Sequence, residues 1–202
     1  MLHLNIASNV NVCSDLVENQ NIDLIVKRAY NPLLRFYREY KIKSTLFFTG
    51  RTLELLEQEY PSVLRQFQSV VKNGSAEIGG HTYGHPVLPL IPMRDARKHM
   101  EYSQSLEKRL FGKTAKGFLP PEWAFDVTLP SLLREFGLEW MMLLGAEAVG
   151  YYDQSQQDTF VPGKVLGTQT SSIPTVFVYD DPDLWFRNNL FSVFIGIKDP
   201  LE

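Results

Sequence analysis

A single cysteine, Cys13, leaves the chain without a partner for an internal disulfide. A reducing, cytosolic setting is therefore expected, and Cys13 has no motif context for a nucleophile. No apolar run approaches the roughly 18 residues that cross a bilayer, so no membrane partner is expected. The opening Met1-Leu-His-Leu-Asn-Ile carries no basic region and does not read as a signal peptide. Charge of neither sign dominates: 20 basic against 23 acidic residues give a formal charge of −3. That balance offers no broad electrostatic footprint for nucleic acid. Also missing are a glycine-rich phosphate loop, a G-x-S-x-G elbow and a CxxC pair, along with internal repeats and low-complexity segments.

What remains is an ordinary globular balance, 44% hydrophobic and 21% charged over 202 residues. It fits one domain spanning 1–202. The aromatic share of 12% suits a packed core, and it also suits an enzyme that stacks sugar rings. Short apolar runs alternate with helical patterns, which is the signature of parallel βα units. Strands are expected at Leu2–Ile6, Ser44–Thr49, Glu77–Gly79, Lys116–Phe118, Trp140–Leu144 and Thr175–Tyr179. A helix is expected to start at Asn31-Pro32, with the asparagine as its cap and Leu33, Tyr37 and Tyr40 on one face. Val63, Leu64, Phe67, Val70 and Val71 make a second stripe, stopped by Asn73-Gly74. Met93, Ala96, Met100 and Leu110 make a third, and Leu129, Leu132, Leu133 and Phe136 a fourth, closed by Gly137.

Three non-helical stretches are longer than a connector requires: 81–92, 119–125 and 145–170. In parallel α/β folds, loops that follow strand C-termini build the active site. The first such loop holds His81 and His85, four apart behind two glycines. Neutral imidazoles at that spacing bind a metal or hydrogen-bond sugar hydroxyls. No carboxylate is fixed to the pair by spacing. The second loop carries Glu122 behind Pro120-Pro121, with Phe118, Trp123 and Phe125 around it. Prolines stiffen the backbone and aromatics lower the local dielectric, which suits a carboxylate whose position and pKa are controlled. A glutamate in the first turn of a nearby helix would account for Glu122 equally well. Further on, Asp180 and Asp181 follow a strand, where they are either a second catalytic carboxylate or ordinary turn acids around Pro182.

Taken in order, these stretches resemble the superfamily that joins glycoside hydrolase family 57 with the polysaccharide deacetylases. Tyr83-Gly-His-Pro-Val-Leu-Pro-Leu-Ile is similar to the family 57 "YxHPILPLI" stretch. Phe118-Leu-Pro-Pro-Glu-Trp-Ala-Phe is similar to the "WPPE-hydrophobic-A" motif around that family's nucleophile. The resemblance implies an α/β fold, an incomplete (β/α)6–7 barrel of parallel strands, TIM-like but distorted and open. It gives Glu122 the nucleophile role, with Asp180 or Asp181 as the acid/base. It places His81, Tyr83, His85, Trp123 and Asn188 against a carbohydrate substrate. The expected activity is that of a retaining α-glycosidase or glucanotransferase on an α-glucan, which needs no cofactor.

The deacetylase branch competes through Glu77-Ile-Gly-Gly-His81-Thr-Tyr-Gly-His85, similar to its metal-binding H-T-x-x-x-H stretch. There, His81 and His85 would hold a divalent metal. That branch needs an Asp-Asp pair after the first strand, where this chain reads Ile6-Ala-Ser-Asn-Val-Asn. Family 57 has an H-Q-P-like stretch at the same place, also absent. The family's "F-R-D" acid stretch aligns with Phe186-Arg-Asn188, which puts an amide where a proton donor is needed. The chain also ends before the helical section that usually follows the catalytic region. A non-catalytic, carbohydrate-binding or structural descendant is the third expectation.

Overall fold

The computed structural model describes residues 6–12, 22–40, 42–144, 163–166 and 172–178. Strand β1 (Ile6–Val10) pairs in parallel with β2 (Ser44–Phe48), and β2 with β3 (Ala76–Gly79). A second sheet runs β4 (Gly117–Phe118), β5 (Trp140–Leu144), β7 (Ser172–Val178), β6 (Gly163–Leu166). Its β4–β5 and β5–β7 pairs are parallel, whereas β6 runs antiparallel to β7. The fold is thus α/β with parallel strands in both sheets, and β6 departs from the expected uniform direction. It lies in the stretch read from sequence as a long non-helical connection. A neighbouring strand that returns along an edge needs no crossover helix, so no helical period announces it.

Backbone hydrogen bonds join the two sheets at Gly80. The Gly80 N–H donates to the Gly117 carbonyl at 2.7 Å, and the Leu119 N–H donates to the Gly80 carbonyl at 3.0 Å. Gly80 thereby bridges in parallel to Phe118. Small residues make this approach possible: a Cβ on Gly117 would stand 2.1 Å from Trp140 Cζ2. Gly80 immediately precedes His81, and Leu119 leads into the two prolines before Glu122. The junction therefore brings the two candidate loops side by side.

Helices fill the connections. After α1 (Ile22–Ile25) and a π turn at Val26–Tyr30 come α2 (Asn31–Tyr40), α3 (Gly50–Gln58), α4 (Pro61–Lys72), α5 (Met93–Phe111) and α6 (Leu129–Glu135). Asn31 is not a cap: its φ of −63° and ψ of −44° are helical, and its N–H reaches the Val26 carbonyl. Pro32 has no N–H to give to the turn before it and crowds the carbonyl four residues back. A widened turn lets the helix continue through it. The first strand runs on to Val10, past the expected end at Ile6, because pairing with β2 recruits the polar Ser8 and Asn9. Residues 1–5 lie outside the described part.

The core forms where the helical stripes meet the strands. Leu34 and Tyr37 of α2, Leu53 and Leu56 of α3, and Phe67 and Val70 of α4 are fully buried with Leu46 and Phe48 of β2. Phe67 stands edge-on to both Tyr30 and Phe48, with ring centroids 5.6 and 5.2 Å apart. Edge-to-face pairs of this kind add modestly to the area they bury. Gly74 and Gly137 close α4 and α6 at positive φ, as the sequence predicts. Helix α3 was not expected. Its Thr49 cap, whose hydroxyl accepts the Thr52 N–H, was legible in the sequence as a capping residue ahead of Leu53 and Leu56.

Candidate active site

His81 follows the sheet junction directly and is 1% exposed. Its Nδ1 accepts the Thr82 N–H at 2.9 Å, which puts the proton of the neutral ring on Nε2. Nε2 is buried without a partner among the described residues. Burial, and then the neighbouring His85, depress its pKa to about 3, so the ring stays neutral at any ordinary pH. The His85 ring lies against it with centroids 4.6 Å apart.

His85 in turn faces Glu122. Its Nδ1 is 3.7 Å from Glu122 Oε1, with the His85 side chain 18% exposed and that of Glu122 70%. Burial lowers the His85 pKa, and the charge of Glu122 works against that shift. Three described non-glycine residues have positive φ, and all three are here: His85 at 61°, Glu122 at 53° and Trp123 at 57°. Left-handed backbone costs such residues on the order of 1 kcal/mol or more each. That strain is concentrated where the two loops meet. Pro120 and Pro121 are buried, so a stiff, packed backbone holds the exposed carboxylate of Glu122.

The helix-start account of Glu122 does not hold. Glu122 sits in a short 3₁₀ turn, Pro121–Trp123, six residues or more before α6. The N-cap of α6 is Thr128, and Asp126 just before it accepts the N–H groups of Thr128 at 2.7 Å and Leu129 at 3.2 Å on its Oδ1. A small cavity lined by Leu88 and Ile91 from one loop and by Asp126 and Leu129 from the other lies beside them.

Tyr83 is placed differently from His81 and His85. Its hydroxyl donates to Glu54 of α3 at 2.6 Å, and its ring stands against Tyr102 and His99 of α5. The side chain alternates away from the histidines because Gly50, which a Cβ would drive into the Tyr83 ring, leaves a slot for it between α3 and α5. His81, His85 and Glu122 come together. Trp123, half-buried, adjoins Glu122 in the chain. Asp180, Asp181, Asn188 and Cys13 lie outside the described residues. Among the described residues, no group of three His, Cys, Asp or Glu side chains is arranged to hold a metal ion, and no helix is long and apolar enough to cross a membrane.

The profile of glycosyl hydrolase family 57 matches residues 3–189. The chain belongs to that family. It is 31% identical over 117 residues to the 4-alpha-glucanotransferase of Thermococcus litoralis, which is 57% of this chain and 18% of that protein. The crystal structure of 4-alpha-glucanotransferase from that organism superposes with a TM-score of 0.79 at 21% identity, covering 97% of this chain and 31% of the other. An alpha-amylase of Pyrococcus horikoshii is 29% identical over 128 residues, 61% of this chain and 20% of the relative. A peptidoglycan deacetylase of Helicobacter pylori is 26% identical over 108 residues, 54% of this chain and 34% of that protein. The chain thus spans about a fifth of the length of the glucanotransferase and amylase relatives it matches.

Proposed function

We propose that the chain is a retaining α-glycosidase or glucanotransferase acting on an α-glucan, with Glu122 as the nucleophile. The observation that carries this is the meeting of Glu122 with His85 and His81. An exposed carboxylate, held on a strained and proline-stiffened turn, faces His85, whose ring lies against a buried neutral imidazole with no Nε2–H acceptor among the described residues. In this reading Glu122 attacks the anomeric carbon, expelling the glycosidic oxygen while an acid protonates it. Water or a second sugar hydroxyl then displaces the carboxylate. Asp180 or Asp181 is the acid of this reading; a retaining mechanism works with carboxyl groups about 5–5.5 Å apart. His81 donates to a sugar hydroxyl, and Trp123 and Asn188 complete the contacts to substrate. We further take residues 1–202 as one domain, an incomplete (β/α)6–7 barrel in which β1, β2, β3, β4, β5 and β7 run in one direction. Family membership, the relatives' names and the order of the two sheets across the Gly80–Phe118 bridge support these readings.

The test is a panel of α-glucans and acetylated chitooligosaccharides, incubated with the protein with and without a chelator. Glucan cleavage or transfer that persists with chelator is the expected result. Acetate release that the chelator abolishes would point to a deacetylase with a metal on His81 and His85. Silence on every substrate would point to a non-catalytic descendant.

A further inference from the structure

Helix α5 buries Ala96, Met100, Ser103 and Glu107 along one face. The stripe begins apolar and ends in a carboxyl. Glu107 is 2% exposed, and its Oε2 accepts the Ala115 N–H at 2.9 Å. Its Oε1 and the Ser103 Oγ are buried with no hydrogen-bond partner among the described residues. Burying a carboxyl this way costs stability unless its contacts do something for the fold. The contact it makes is to the chain entering β4. Two residues beyond Ala115, the Gly117 carbonyl takes the Gly80 N–H, and the Ala115 methyl lies 3.3 Å from where a Cβ on Gly80 would stand.

Resting on the reading of Glu122 and His85 as one site, we propose that Glu107 is its positioning residue. From inside the core it holds Ala115, hence the Gly80–Gly117 junction, and hence the register of the loop bearing His81 and His85 against the loop bearing Glu122. The charged groups of the surrounding elements are engaged elsewhere or point outward. Arg109 of α5 clamps Glu57 of α3, Arg97 pairs with Glu135, and Lys116 with Glu139. Glu54 of α3 takes the Tyr83 hydroxyl, and Arg65 and Lys72 of α4 are exposed. Burial pushes the Glu107 pKa up to about 7, opposed by the Ala115 N–H. A carboxylate accepts an N–H more strongly than a protonated carboxyl does, so the hold on Ala115 tightens as Glu107 ionises.

The test is NMR on the full chain, following the Gly80, Ala115 and Leu119 amides and the His85 ring from about pH 5.5 to 8.5, a range that brackets neutral titration. In the wild type the three amides are expected to shift together with a shared midpoint near that of Glu107, separate from the His85 ring's own protonation, which burial moves below the ordinary imidazole value. In Glu107→Gln, which keeps an acceptor for Ala115 but cannot ionise, the shared movement of the three amides vanishes. Glu107→Leu removes the acceptor, and amide exchange at Gly80 and Leu119 is expected to rise about tenfold more than at Val70 of α4. Gly80 and Leu119 amides that stay still while Ala115 moves would overturn the proposal. So would a shared amide movement that persists in Glu107→Gln, or exchange that rises equally at Val70. Should Glu107→Leu fail to fold, the titration of wild type against Glu107→Gln decides alone. None of these readouts requires turnover, so an inactive protein would sink the glycosidase reading and leave this one standing.

Discussion

The loop after β3 and the loop after β4 leave the same junction and solve opposite problems. The first is anchored: His81 is buried and neutral, bonded to its own backbone neighbour, and Leu88 is buried in a 3₁₀ turn further along. The second is a presenter. Buried Pro120 and Pro121 hold up an exposed Glu122 whose backbone, like that of Trp123, is left-handed. In the proposed function the carboxylate has to stay solvated and aimed, so its support must come from the backbone. A recognition imidazole can be fixed by burial, provided something later satisfies its Nε2–H. The strain on the presenting loop is the structural mark of that division.

The sharpest way to break the contrast is to neutralise the presented group. Glu122→Gln should lower α-glucan turnover by several orders of magnitude while moving the thermal midpoint little, since the side chain is 70% exposed. Turnover that survives would remove Glu122 from the chemistry. Next is the shared foundation. In Gly117→Ala the new methyl would collide with the Trp140 ring. Chemical denaturation should show a loss of roughly 1–3 kcal/mol. A loss below about 0.5 kcal/mol would mean that Trp140 yields freely and the junction is loose.

The anchored loop makes a pH prediction. His81 has a folded pKa of about 3 against 6.5 unfolded. Below pH 6.5 the unfolded chain takes up a proton that the folded chain refuses, so stability falls as pH drops through that window. Between pH 6.5 and 5 the loss is about 2 kcal/mol, and His81→Gln should flatten that limb of the stability curve. An unchanged slope would mean His81 is protonated in the folded state. The smallest effect is relief of the presenter's strain. Glu122→Gly accepts φ of 53° without a Cβ clash and should stabilise the fold by up to about 1 kcal/mol in thermal melts. If the variant is destabilised, the left-handed turn is held by Glu122 itself and not imposed by the prolines.

The local signals in the sequence carried far. Helical periodicity placed α4, α5 and α6, and short apolar runs between helical patterns placed β2, β3, β4 and β5. The motif around Pro120-Pro121-Glu122 singled out a group that the structure sets against His85. Signals failed where a neighbour outweighed local preference. Asn31 looked like a cap until the preceding turn absorbed Pro32, and Ser8 and Asn9 looked like a loop until β2 paired with them. Tyr83 looked like a cleft residue because adjacency in the chain hides which way a side chain alternates. Glu107, on a helix whose pattern reads as ordinary amphipathic core, gave no sign of being buried.

By itself, the sequence determined the alternation of strand and helix, the stopping points at Gly74 and Gly137, and which short segments hold chemistry-bearing residues. These follow from side-chain period and backbone permissiveness, which act within a few residues. Tertiary structure alone decided that Gly80 meets Gly117, that His81 loses its water and its charge, and that Glu122 faces His85 from a left-handed turn. Those depend on backbones 37 residues apart approaching within 2.7 Å, with Trp140 in the space a side chain on Gly117 would need. No property of either segment read separately contains that distance.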